Sequence, residues 1–194
     1  VKTGEGTLIL SGINTYTGTT EIAAGTLRVT GDLEASSSIT ADDGTTLSGT
    51  GTLGNTIMKD GSTLYPSGGT GDATLTVNGN LTLQNGSTYM VNSLLLGMSD
   101  KVDVTGSAAL GSGEQLAVNS GAWETRVSYN LLHAEQKITG SFGNVRTSLV
   151  FLTPIVSYSG NDVFLNLVRN QANFSIIGGT RNEQAVESGL GSLQ

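Results

Sequence analysis

The residues best equipped for chemistry in this 194-residue chain are few and widely spaced. His133 is its one histidine and cysteine is absent, so a metal site built on His and Cys ligands is excluded. A serine nucleophile needs a histidine base. Gly140-Ser141-Phe142 lacks an elbow context, and His133 lies between Leu132 and Ala134 in an expected strand, where a structural or surface role is the reading. Two carboxylate pairs, Asp42-Asp43 and Asp100 with Asp103, are of the type that flanks a glycosidic bond. Adjacent strand residues point to opposite faces, as do residues three apart, so neither pair converges by itself. Solvated turn carboxylates are expected, and no catalytic or cofactor-binding residue is assigned.

The elements that would position such residues are short strands. Gly6-Thr7-Leu8, Gly25-Thr26-Leu27, Gly44-Thr45-Thr46-Leu47, Gly61-Ser62-Thr63-Leu64 and Gly86-Ser87-Thr88-Tyr89 recur at offsets of 19, 19, 17 and 25 residues. Secondary copies fall between them at Gly31-Asp32-Leu33, Gly51-Thr52-Leu53 and Gly79-Asn80-Leu81. A unit of about 20 residues is too short to bury a face alone and must stack on its neighbours. Glycine and threonine at this density disfavour helices. Alternating stretches such as Leu75-Thr76-Val77 and Leu81-Thr82-Leu83 predict strands instead. The arrangement expected is all-β, a parallel β-helix with five main rungs before a C-terminal cap. Gly68-Gly69-Thr70-Gly71-Asp72 resembles the nonapeptide of calcium-binding β-rolls. Asp72 comes one position early and the unit occurs once, so a plain glycine-rich turn is preferred and no metal is assigned.

Bulk is concentrated late in the chain. Six of the ten aromatics, Trp123, Tyr129, Phe142, Phe151, Tyr158 and Phe164, lie between Trp123 and Val168. Aromatics bury the most area per residue, so the best-consolidated core is expected here, with Trp123, Tyr129, Leu131, Phe142, Phe151, Tyr158 and Phe164 as the folding core. Ser159-Gly160-Asn161-Asp162 predicts a hairpin turn. Val163, Leu165 and Leu167 alternate on one face. Pro154 cannot donate to a ladder and must lie at a sheet edge or a break. Tyr16 and Tyr65 sit on turn-like segments, where Tyr16 is read as packing its turn.

Composition limits the partners. Nine basic residues stand against 16 acidic ones, a net charge of −7, with no basic stripe, so nucleic acid is not an expected partner. No apolar run reaches the roughly 18–20 residues of a membrane helix. Val1-Lys2-Thr3 opens no signal peptide, which reads as a mature product or a fragment. After Arg169 the chain turns polar. Thr180-Arg181-Asn182-Glu183 reads as a capping box before a short stripe of Val186, Leu190 and Leu193.

The stretch Gly4-Glu5-Gly6-Thr7-Leu8-Ile9-Leu10-Ser11-Gly12-Ile13, followed by the Asn14-Thr15-Tyr16-Thr17-Gly18 turn and running to Val29, resembles the passenger-associated repeat of bacterial autotransporters. Ser99 to Gly106, Tyr129 to Ala134, Ile138 to Phe142, Phe151-Leu152-Thr153-Pro154 and Val163 to Leu167 look like the pertactin-like, or autochaperone, end of such a passenger. The resemblance implies a right-handed parallel β-helix with a C-terminal β-hairpin cap and a short C-terminal helix or linker. The expected divisions are rungs over 1–98, a cap module over 99–169, and a linker over 170–194 leading toward an outer-membrane β-barrel. No barrel strands remain after Gln194, so a passenger fragment preceding its translocator is expected. The role implied is nucleation and templating of β-helix folding at the bacterial surface, reached through the periplasm and outer membrane. No enzymatic activity is expected. The partners would be the chain's own translocator barrel and, if the chain instead serves as an adhesin, a host-cell surface ligand.

Overall fold

The structure is a computed structural model and describes residues 1–69, 72–93, 97–111, 115–119 and 123–171. The strands run in chain order as β1 (Thr7–Leu10), β2 (Thr20–Ile22), β3 (Thr26–Val29), β4 (Asp32–Leu33), β5 (Ile39–Ala41), β6 (Thr46–Ser48) and β7 (Thr52–Leu53). They continue as β8 (Thr56–Met58), β9 (Thr63–Tyr65), β10 (Thr74–Val77), β11 (Leu81–Leu83), β12 (Thr88–Val91), β13 (Lys101–Val104) and β14 (Ala108–Leu110). The last are β15 (Gln115–Val118), β16 (Ser128–Ala134), β17 (Ile138–Thr139), β18 (Asn144–Thr147), β19 (Leu152–Ser159) and β20 (Asp162–Arg169).

Consecutive strands fall in different sheets. The first sheet is ordered β1-β3-β6-β9-β12-β15-β18, the second β19-β20-β16-β13-β10-β7-β4, and the third β17-β14-β11-β8-β5-β2. Each coil of the chain visits all three faces and returns to pair with the coil before it in the same direction, so the ladders are parallel. This is the expected parallel β-helix. The coil is 19 residues from Thr7 to Thr26, 20 from Thr26 to Thr46 and 17 from Thr46 to Thr63. It lengthens to 25 from Thr63 to Thr88, 27 from Thr88 to Gln115 and 29 from Gln115 to Asn144.

The Gly-Thr-Leu unit is explained by this register. Its leucine points inward, and Leu27, Leu47, Leu64, Tyr89 and Leu116 stack in successive coils with no exposed surface. Its threonine takes the neighbouring position, so Thr7, Thr26, Thr46, Thr63 and Thr88 form a ladder along the other face of the sheet. Opposed threonine pairs contribute roughly 0.2–1 kcal/mol each. The unit ends at Tyr89, but two further strands follow in this sheet. The five rungs expected before the cap are β1, β3, β6, β9 and β12, and among the described residues β15 and β18 carry the same stack on beyond residue 99, because alternation persists at Gln115-Leu116 and Asn144-Val145 after the marker glycine and threonine are gone.

The secondary copies also separate. Leu33 and Leu53 pair in the second sheet, whereas Leu81 belongs to the third. The core is spread along the rod: Ile22, Leu33, Ile39, Met58 and Leu75 are as fully buried as anything after Trp123. The expectation of a core concentrated late in the chain is corrected accordingly. In a stacked coil every rung contributes inward residues, so burial follows rung number more than aromatic content.

Two corner devices close the coil. A Cβ at Gly51 would lie 2.1 Å from the Gly31 carbonyl oxygen, and one at Gly31 2.3 Å from that of Gly12. Only glycine lets these corners stack. At another corner, Asn55 Oδ1 accepts the Asn80 amide and Asn80 Oδ1 accepts the Ser107 amide, each at 2.9 Å.

Candidate functional site

The parallel stack ends where β20 joins β16 antiparallel, with β19 completing a hairpin on the outside. The turn forms as expected: Ser159 stands opposite Asp162, and Gly160 at φ 59° supplies the left-handed residue at its first central position. Val163, Leu165 and Leu167 face the core. Pro154 lies in β19, the outermost strand of its sheet, where its missing N–H disturbs no ladder.

The strand that receives the hairpin is irregular. Its register shifts between Asn130 and Leu132. This β-bulge turns both Leu131 and Leu132 inward, although adjacent residues of a regular strand point to opposite faces. The Leu131 carbonyl is met by the buried Tyr89 hydroxyl, which donates to it at 2.6 Å. Burial, reinforced by the charges of Asp100 and Asp103, pushes the Tyr89 phenol well above its ordinary range, so it remains a donor. The Tyr89 ring also stacks on Phe142, with centroids 6.0 Å apart.

The other aromatics divide. Trp123 meets Tyr129 edge-on at 4.8 Å and donates its indole N–H to Asn119 O at 2.8 Å. Tyr129 is wholly buried, and its hydroxyl accepts the Glu124 amide at 2.7 Å. Trp123 and Phe142 are half-buried against the core, and Phe151 is half-buried. Tyr158 is 42% exposed, and its hydroxyl accepts the Phe142 amide at 2.7 Å. Phe164 alternates with Val163 and Leu165, which turns it to the outer face of β20. Of the seven residues read as a core, Tyr129 and Leu131 are fully enclosed, Phe164 lies on the outer face of β20, and Tyr158, opposite Val163 on the core-side face, stays partly exposed. Tyr89 was missed, although its place in the leucine column of the repeat was visible.

A polar seam backs the joint. Asp162 Oδ1 accepts Asn130 Nδ2 at 2.7 Å and lies 2.9 Å from His133 Nδ1. Burial raises the Asp162 carboxyl, but these two hydrogen bonds and the charges of His133 and Lys101 outweigh it and hold the group below the usual range. His133 thus serves the joint between rod and hairpin.

The carboxylates do not converge. Asp42 pairs with Lys59 at 2.6 Å and Asp103 with Lys101 at 2.6 Å. Asp100 is a correction: it is not solvated but wholly buried, with Ser67 Oγ donating to its Oδ2 at 2.6 Å and the Asn92 amide at 3.0 Å. Among the described residues no three His, Cys, Asp or Glu side chains gather to hold a metal. Tyr16 packs its turn, with its hydroxyl 2.8 Å from Thr20 Oγ1. No described helix is long and apolar enough to cross a membrane. The expected capping box and C-terminal stripe lie outside the described residues.

The opposite end of the rod differs. β1 is the edge strand of its sheet, and Leu8 and Ile9 are 44% and 57% exposed. A cleft of about 350 Å³ opens there, lined by Leu8, Leu10, Tyr16 and Leu27 among others. Lys2 folds over this end, donating to the Gly6 and Ala24 carbonyls at 2.6 Å and to that of Gly4.

Comparison with known proteins adds three findings. A family model described as passenger-associated-transport-repeat matches residues 1–29. Two curated relatives, each an extracellular serine protease of Serratia marcescens, are 32% and 28% identical over 201 aligned residues. Each alignment covers 99% of this chain and 19% of the relative, so the chain spans about a fifth of their length.

Proposed function

The chain is a segment of an autotransporter passenger, and on that premise we propose that it nucleates and templates β-helix folding during secretion and then serves as stalk. The observation that carries this reading is the joint at the β16 end of the rod, where the antiparallel hairpin β19-β20 closes a stack of parallel rungs. Each rung of that stack pairs in parallel with its neighbour, so a rung already formed offers its backbone groups to the segment that arrives next. That segment adds one coil, which becomes the template for the next. Burial of apolar surface with each coil drives the addition and opposes return of the chain through a pore.

In this reading residues 99–169 are the nucleus, 1–98 the first templated rungs, and 170–194 the connection toward an outer-membrane translocator, the cognate partner that the passenger family implies. The final address is the cell surface or the medium. The protease activity in the relatives' names belongs to those proteins. In this chain we assign no catalytic residue, and an activity of its parent would reside outside the segment. Guanidinium unfolding of the whole chain beside a chain beginning at Ser99 tests the proposal. Cooperative unfolding of the shorter chain supports an independent nucleus. A shorter chain that is unfolded while the whole is stable overturns it. The adhesive alternative predicts sub-micromolar binding of the purified chain to host cells.

A further inference from the structure

One group of buried side chains is used neither by the hairpin joint nor by the open end. Asp100 has no exposed surface, Ser93 has 3% and Asn92 has 4%. Asn92 and Asp100 are locked together: Asp100 N donates to Asn92 O at 2.9 Å and Asn92 N to Asp100 Oδ2 at 3.0 Å. Ser93, the next residue, bridges to Ser99. Donors are already committed here. Ser67 Oγ serves Asp100 Oδ2, and Asn92 Nδ2 faces the Tyr65 hydroxyl and, at 3.3 Å, Ser67 Oγ. Three buried oxygens are left without a hydrogen-bond partner: Asp100 Oδ1, Asn92 Oδ1 and Ser93 Oγ.

Buried polar atoms without partners are rare and costly. A carboxylate oxygen, an amide oxygen and a hydroxyl oxygen together suit a hard cation. Charge points the same way. Burial raises the Asp100 carboxyl, Asp72 raises it further by like-charge repulsion, and no lysine or arginine offsets them. Ala73 O accepts Lys101 N at 2.8 Å, which brings Asp72 one residue away from the strand position facing Asp100. The Gly68-Gly69 turn that follows Ser67 is exposed, and the Arg28 guanidinium lies 3.6 Å from where a Gly68 Cβ would stand.

We propose that Asp100 Oδ1, Asn92 Oδ1 and Ser93 Oγ form a calcium-binding site, with Asp72 adding negative charge at its entrance. The cation would neutralise the buried carboxylate and tie β12 to β13 across the excursion between them. A site with one inner carboxylate belongs with the weak extracellular class, with Kd on the order of 10⁻⁴–10⁻³ M.

The test is thermal unfolding of the whole chain in EDTA and in 5 mM calcium chloride, with magnesium chloride at matched ionic strength. Calcium should raise the wild-type midpoint by about 2–9 °C. Asp100→Asn should abolish the rise. Asp72→Asn, at an exposed position where folding is not at risk, should reduce it. No calcium shift in the wild type overturns the proposal and leaves a proton on Asp100 as the guest. An equal shift with magnesium, or an undiminished one in Asp100→Asn, overturns it as well.

Discussion

The Tyr89 hydroxyl donates to the Leu131 carbonyl at 2.6 Å across 42 residues of chain, inside the core. It ties the fifth strand of the first sheet to the bulged strand that receives the hairpin. Tyr89→Phe keeps the ring on Phe142 and removes only the donor. The expected loss is about 1–3 kcal/mol, the cost of a buried carbonyl left unpaired. The guanidinium midpoint reads it, and a midpoint within error of the wild type would show that this bond does not hold the joint.

Trp123→Ala removes the edge-on contact with Tyr129 and the hydrogen bond to Asn119. Truncation of a large aromatic in a core costs about 3–5 kcal/mol, and this half-buried one should lie at or below the lower bound. If the C-terminal end nucleates folding, surface display of the full passenger should fall sharply for Trp123→Ala and for Phe151→Ala. The exposed Ser141→Ala should display normally. Equal display of the three would count against nucleation here.

Gly51→Ala places a methyl group 2.1 Å from the Gly31 carbonyl oxygen, which is backbone and cannot swing aside. Overpacking of this kind costs typically about 1–3 kcal/mol, or several degrees in the melting midpoint. Gly12→Ala meets nothing within 4 Å and should change little. A calorimetric melt of the two variants separates corner packing from a general effect of removing glycine.

Two carboxylates should respond to pH with opposite signs. Asp162 is held low in the folded state, so its contribution is complete above the unfolded carboxylate range, near 3.9, and is lost as pH falls through the folded value. Asp100 is raised, mainly by burial, so its contribution is present at low pH and is lost as pH rises through its folded value. In EDTA, Asp162→Asn should lower stability at pH 6 and matter little at pH 2. Asp100→Asn should be neutral or stabilising at pH 7. Unfolding midpoints across this range check both, and a destabilised Asp100→Asn at pH 7 would refute the assigned sign.

Pro154 interrupts the N–H row of β19 at the outer edge of its sheet. Pro154→Thr restores a continuous edge of eight residues beside the exposed Ile155. Edge strands without such a guard pair with other chains, so light scattering should show concentration-dependent association of the variant. A monomeric variant at high concentration would mean that another feature protects this edge.

Much was determined by the sequence alone, because its signals are local. Thr26-Leu27 and Thr63-Leu64 declare which residue turns in, since side chains alternate along any strand. Ser159-Gly160-Asn161-Asp162 specifies its hairpin through the one left-handed residue it needs, and Pro154 must lie at an edge because it has no N–H to give. Phe164 could have been placed by the same rule, as alternation with Val163 and Leu165 sets it outward whatever its size. Tertiary structure decided the rest. Leu131 and Leu132 both face inward only because a bulge forms against β20. Asp100 is buried because Ser67, 33 residues earlier, and the Asn92 backbone amide enclose it. Those partners meet through coils of 17 to 29 residues, whose register is set by stacking on the neighbouring rung. No local pattern encodes that distance, and so the places where the rod departs from its repeat are legible only once it has closed.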